Sequence, residues 1–224
     1  MMNTTNIPVI AIDGPSASGK GTVAQIVADK LGYHYLDSGA LYRIVALAGK
    51  QQHISWQDEA RLAEMALNLD IRFEGGNILL GTQNITEDVR TEKMSRGASE
   101  VAVHPKVRAA LLDLQHGFRK APGLVADGRD MATVVFTDAV TKIFLTASAE
   151  VRAERRYKQL MGKGIHANLA AILKDLQERD ARDRARPVAP LQQSTDAVLV
   201  ETSQMTIDQA VESVLQQHQK PQAK

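Results

Sequence analysis

One stretch near the amino terminus decides what this chain can fold into. The apolar run Ile7-Pro8-Val9-Ile10-Ala11-Ile12-Asp13 passes directly into Gly14-Pro15-Ser16-Ala17-Ser18-Gly19-Lys20-Gly21-Thr22. A strand, a loop spaced G-x-x-x-x-G-K and an opening helix together build a cradle for phosphates. Gly14 and Gly19 let the backbone curl so that successive N–H groups point inward, the helix adds the positive end of its dipole, and Lys20 reaches the β- and γ-phosphates. Gly14, Pro15, Ser16, Ala17, Ser18, Gly19, Lys20, Gly21 and Thr22 are therefore the expected loop for a nucleoside triphosphate. Position 21 is glycine where the common loop carries a hydroxyl on Mg²⁺, so no direct side-chain metal ligand is expected. Mg²⁺ itself tolerates being held mainly through nucleotide phosphates and water.

Behind the loop, short apolar runs alternate with helical patterns, the signature of a parallel sheet with helices on both faces. The expected core strands are Pro8 to Ile12, Tyr33 to Leu36, Leu124 to Ala126, Lys142 to Leu145 and Ala197 to Val200. Ligands of such sheets bind beyond the carboxyl ends of the strands. The residues there are Asp13-Gly14, Asp37-Ser38-Gly39, Asp127-Gly128-Arg129-Asp130 and Thr146. The second and third core strands stand too far apart for a simple crossover, so something is inserted between them. Ile71 to Glu74 and Ile78 to Leu80 flank Gly75-Gly76-Asn77 as a hairpin, with Gln83-Asn84-Ile85 as a third short strand.

Further on, Thr91 is expected to cap a helix running through Val103, and Pro105 to open another. Val107, Leu111, Leu114 and Phe118 form one buried stripe on that helix, with Arg108 at its edge. Thr206 and Gln209 have capping-box spacing for the last helix, and the tail from about Gln216 is expected to fray.

Composition removes several function classes. With 27 Lys and Arg against 26 Asp and Glu, the net charge is +1, and no global field draws the chain onto nucleic acid or an anionic membrane. There is no cysteine, which excludes disulfides, thiol catalysis and cysteine zinc sites. Apolar runs fall far short of the roughly 20 residues that span a bilayer, and Met1 to Asn6 lack signal-peptide character. A cytoplasmic monomer is expected, monomeric because no helix offers a second apolar face. The six histidines are scattered and none is assigned chemistry.

A phosphate cradle alone does not separate a kinase from a switch or a motor. Glu178 to Pro187 packs Arg179, Arg182, Arg184 and Arg186 at the end of a helix that Pro187 terminates. Arg179, Asp183 and Arg186 fall on one face. Met161-Gly162-Lys163-Gly164 supplies the turn of a helical hairpin that brings guanidinium groups to a transferring phosphoryl, a lid. Ser38 is placed to cap the helix after the second strand, with Tyr42 and Arg43 about a turn on.

Four segments, IDGPSASGKGT, LDSGALYR, ADGRDMATVVF and ERDARDRARPVAPL, in this order over nearly the whole chain, resemble the bacterial cytidylate kinases, and the G-K-G-T ending resembles nucleoside monophosphate kinases at large. The resemblance implies an α/β fold of the P-loop NTPase type: a parallel five-stranded sheet with helices on both faces, a small β-rich inserted subdomain and a short helical lid. It implies one kinase domain, with a core of 1–37, 121–147 and 188–224, a monophosphate-binding region of 38–120 with an insert at about 70–90, and a lid of 148–187. The implied reaction passes a phosphoryl group from ATP to CMP or dCMP. Lys20, Arg129, Arg179 and Arg186 would serve catalysis. Arg43, Arg129 and Arg186 would hold the acceptor's phosphate. Ser99, Arg108 and Asp130 would read the cytosine edge, Arg179 and Asp183 would contact sugar hydroxyls, and Ser38 and Tyr42 would lie near the acceptor. Two rivals remain open at this point. One is a P-loop kinase of a small hydroxylated metabolite with Asp37 or Asp127 as base. The other is a nucleotide-dependent RNA-binding module, disfavoured by the near-neutral charge and the lack of an aromatic stacking platform.

Overall fold

The computed structural model describes residues 7–74 and 77–220. From the amino end run β1 (Val9–Asp13), α1 (Lys20–Leu31), β2 (His34–Asp37), α2 (Ser38–Gln51) and α3 (Glu59–Leu67). Then come β3 (Ile71–Glu74), β4 (Asn77–Leu80), β5 (Gln83–Asn84), α4 (Thr86–Val89), α5 (Glu92–Val101) and α6 (Pro105–His116). The chain continues with β6 (Leu124–Gly128), a π-helical turn (Met131–Val135), β7 (Thr141–Thr146), α7 (Ala149–Gly162) and α8 (Leu169–Arg184), then β8 (Val198–Glu201) and α9 (Ile207–Gln219). These elements fall into two compact units, Met1–Asp37 with His116–Lys224, and Ser38–Gln115.

The first unit is built on a five-stranded sheet ordered β2-β6-β1-β7-β8, every pair parallel. All five expected core strands are present. β1 and β6 lie in the middle and are buried along their whole length, as strands covered on both faces must be. One face packs Ile10, Ile12, Val125, Ile143, Leu145 and Val200 against Val23, Ala24 and Val27 of α1 and Val211 and Val214 of α9. Aliphatic side chains do the filling, as an aromatic share of 4% requires. This central β1, with its phosphate-loop sequence at the carboxyl edge, is the P-loop NTPase arrangement.

Local chemistry explains the element ends. α1 starts after Gly19 at φ 90°, a left-handed position that glycine adopts without strain, and stops at Gly32, whose N–H bonds the Ala28 and Asp29 carbonyls. α9 begins with the expected capping box, the Thr206 hydroxyl accepting from the Gln209 N–H while the Gln209 side chain accepts from the Thr206 N–H. It runs to Gln219 and so does not fray from Gln216; residues 221–224 lie outside the described ones.

The second unit pairs β3, β4 and β5 into a small antiparallel sheet, as the hairpin pattern predicts, with Gly75 and Gly76 outside the described residues. Thr91 caps α5 by accepting from the Met94 N–H, but the helix ends at Val101, short of Val103. On α6 the buried positions are Val107, Arg108, Leu111 and Gln115. The expected stripe is thus rotated: Leu114 is only half-buried, Phe118 lies beyond the helix, and Arg108 turns inward instead of marking an edge.

Candidate active site

In the first unit, the carboxyl ends of β1, β2 and β6 surround Lys20. Gly14 must be glycine because a Cβ there would stand 2.0 Å from the Leu145 carbonyl oxygen of β7. Lys20 opens α1 and turns its Nζ back to the Pro15 carbonyl at 3.1 Å. Burial pushes its pKa down to about 7 and the Arg129 cation pushes the same way, against Asp127, Asp37 and Asp183. Asp127 is raised to about 7, by burial and then by the like charge of Asp37, and it accepts a hydrogen bond from the Tyr35 hydroxyl at 3.2 Å. Burial thus works against the charged form of both the lysine and the carboxylate in one recess.

The arginines converge on one carboxylate. Arg129, at the end of β6, donates from Nε to Asp183 Oδ2 at 2.9 Å, from Nη2 to Ser16 Oγ at 2.9 Å and from Nη1 to the Gly128 carbonyl at 3.2 Å. Arg186 donates to the other oxygen of Asp183. Burial opposes both charges, yet the pair wins: Arg129 is held above its usual pKa by Asp183, and Asp183 below its own by Arg129 and Arg186. Arg179 lies 3.9 Å from Asp175 one turn earlier on α8. The helix ends at Arg184, before Pro187, so Arg186 does not share its face as the spacing suggests but returns to Asp183 from the chain beyond. Asp183 and Arg186 are buried, unlike an ordinary solvated charge run.

Asp130 is buried and flanks the π-helical turn, whose first two amides, of Met131 and Ala132, both donate to Asp13 at 2.8 Å. Burial raises the Asp13 carboxyl to about 7, against the pull of those two amides. The base of the α7–α8 hairpin also reaches the loop. Arg152 donates to the Ser16 carbonyl at 2.9 Å and pairs with Asp180 at 2.7 Å, while Arg155 donates to the Ser18 carbonyl at 3.3 Å.

The second unit presents its own polar group. α2 begins at Ser38 itself, so Ser38 is not the flanking cap; its hydroxyl donates to Gln115 Oε1 at 2.8 Å. Arg108 lies with its guanidinium carbon 5.5 Å from the Tyr42 ring centroid and donates to the Ala102 carbonyl at 3.1 Å. Ser99 is buried on α5, and Arg43 is half-buried on α2.

The structure therefore joins Lys20, Arg129, Asp183 and Arg186 in one cluster, and Tyr42 with Arg108 in another. Sequence reasoning missed Arg152, Arg155 and Asp180. Asp180 had a signal, since it stands three residues before Asp183 and so on the same side of α8. Arg152 had none, because only the packing of α7 against the loop reveals it. No helix among the described residues is long and apolar enough to cross a membrane.

Comparison with known proteins gives a consistent result. A family profile described as cytidylate kinase matches residues 10–220. A cytidylate kinase of Chromobacterium violaceum is 57% identical over 217 residues, covering 97% of this chain and 98% of its own. One from Polynucleobacter asymbioticus is 58% identical over 213 residues, covering 95% of this chain and 97% of its own. Among solved structures, a gluconokinase from Sinorhizobium meliloti matches at 17% identity and a TM-score of 0.48, covering 94% of this chain and 91% of its own; nothing about substrate follows from so loose a likeness.

Proposed function

Since the chain belongs to the cytidylate kinase family, we propose that it transfers the γ-phosphoryl group of ATP to CMP and dCMP, giving ADP with CDP or dCDP. The observation that carries this reading is the meeting of Arg129 and Arg186 on Asp183, with Lys20 and the Gly14–Thr22 cradle in the same unit.

An oxygen of the acceptor phosphate attacks the γ-phosphorus while the bond to the bridging oxygen breaks toward ADP. The second pKa of a phosphate monoester is about 6, so near neutral pH this oxygen is already a nucleophile and no general base is required. What remains is to bring two anions into line and to neutralise charge moving toward the leaving group. The loop amides take the donor, and Lys20 takes the transferred group. Arg129 and Arg186 take the acceptor's phosphate together with Arg43, and Arg179 and Asp183 contact the sugar. Ser99, Arg108 and Asp130 read the cytosine edge, with Ser38 and Tyr42 beside the acceptor.

Asp37 and Asp127 fit Mg²⁺. Both are oxygen donors acting on Lys20, and Gly21 contributes no hydroxyl beside Asp127. Such a pair suits an ion carried in by phosphates and held through water. When bound, the ion would supply positive charge to the donor's phosphates.

The test is ADP release with CMP, dCMP, UMP, AMP and simple alcohols as acceptors. CMP and dCMP are expected to drive release. A hydroxyl acceptor would need a base, Asp37 or Asp127, of which Asp127 is raised to about 7; release driven by alcohols and not by CMP would establish that reading instead.

A further inference from the structure

Ser16 has no free polar group. Its N–H donates to Asp180 Oδ1 at 3.3 Å, its carbonyl accepts from Arg152 Nη1 at 2.9 Å, and its hydroxyl accepts from Arg129 Nη2 at 2.9 Å. Arg152 and Asp180 are joined at 2.7 Å, and Arg152 Nε donates to the Ala147 carbonyl at 2.9 Å. Both are almost wholly buried, Arg152 at 4% exposure and Asp180 at 2%. One comes from the first turn of α7 and the other from α8, so the hairpin holds the two peptide groups that flank Ser16, one through its N–H and the other through its carbonyl.

The next residue explains why a grip is needed. Ala17 has φ 59°, in the left-handed region that a side chain with a Cβ enters only when its surroundings impose it. A residue turned this way is what aims the following amides at one point, as an anion nest requires. A buried ion pair adds little net stability over apolar side chains of similar volume, so the consequence of this one is geometric.

We propose that Arg152 and Asp180 are positioning residues for phosphoryl transfer, which clamp the peptide groups on either side of Ser16 and so hold Ala17 in the conformation that forms the triphosphate cradle. The inference rests on reading Gly14–Thr22 as that cradle, and it makes cradle competence depend on the α7–α8 hairpin.

The experiment is calorimetric titration of the full chain with ATP, alongside steady-state kinetics in CMP. The double variant Arg152→Met with Asp180→Leu removes both charges at once and leaves no buried charge unpaired. It is expected to melt cooperatively, to bind ATP about tenfold more weakly, which is about 1.4 kcal/mol, and to keep the KM for CMP within about twofold. Adding Ala17→Gly, which enters the left-handed region freely, is expected to recover most of the lost ATP affinity, a coupling that a merely structural pair would not give. If the double variant does not fold, Asp180→Asn carries the same test: Ser16 and Arg152 use different oxygens of Asp180, and the amide nitrogen that replaces one of them cannot accept, so one bond is lost and the same glycine rescue is expected. Variants that bind ATP as tightly as the parent, or a loss that glycine leaves untouched, overturn the proposal alone. A parent chain that does not bind ATP overturns the cradle reading and this proposal with it.

Discussion

In the first unit two guanidinium groups share the carboxylate of Asp183, while in the second Arg108 rests on the Tyr42 ring and a backbone carbonyl, and Ser38 and Gln115 share a neutral hydrogen bond. The first arrangement fixes charge in advance: cations are held in place by a carboxylate, which on the proposed reading would leave little reorganisation for the moment of transfer. The second holds directional donors and acceptors, the kind of group by which, on the proposed reading, a site would discriminate between bases. On the proposed assignment the phosphate contacts, Arg43 apart, come from the first unit and the base contacts, Asp130 apart, from the second.

The largest expected effects test the first region. Lys20→Ala is expected to lower kcat by about 10²–10³, and Arg186→Ala by about 10², the range for removing one preorganised charge-stabilising group. Asp183 remains paired with Arg129 in the latter, so its stability cost is expected to stay near 2 kcal/mol, read by chemical denaturation. Near-parental turnover in either purified variant would remove that residue from the mechanism.

A smaller effect tests the second region. Ser99→Ala is expected to raise the KM for CMP about tenfold, the worth of about one hydrogen bond, with kcat within about threefold. A fall in kcat at unchanged KM would break the division of labour.

The pH dependence sharpens the contrast, since the strongly displaced groups lie in the first unit. Lys20 sits at about 7 in the free protein, and a bound polyanion raises it. Metal-free ATP binding should therefore take up a proton above pH 7, and affinity should fall as pH rises, by at most about tenfold per pH unit for one proton. Asp127, displaced upward to about 7, is driven the same way. Titrations in buffers of different ionisation enthalpy read this uptake, and proton release would contradict it. For folding the sign differs between the groups. The lowered Lys20 adds stability as pH rises from about 7 toward its ordinary range, whereas the raised Asp13 removes stability as pH rises from about 4 to about 7.

The smallest effect lies away from both regions. Thr206→Ala opens the capping box of α9 and is expected to cost about 1 kcal/mol, or about 2–4 °C in Tm, with turnover unchanged.

Much of this was legible in the chain because it is written in local pattern. The strand that meets Gly14, the hairpin around β3 and β4 and the box at Thr206 each depend on residues a few positions apart. The α6 stripe misled because the helix ends at His116 and turns Arg108 and Gln115 inward, a choice made by packing and not by periodicity. The share of Arg186 in the cluster was visible as charge density and as a helix face shared with Asp183; that it instead leaves the helix and folds back onto Asp183 is a tertiary fact. Arg152, 136 positions from the Ser16 carbonyl it holds, had no local signal at all.

The division between the regions is tested most directly by the ratio of kcat/KM for CMP to that for UMP, measured in the parent, in Arg186→Ala and in Ser99→Ala. Arg186→Ala is expected to lower both values together and leave the ratio within about twofold of the parent, while Ser99→Ala shifts it by about tenfold. A ratio that moves with Arg186 and stays fixed with Ser99 would contradict the account.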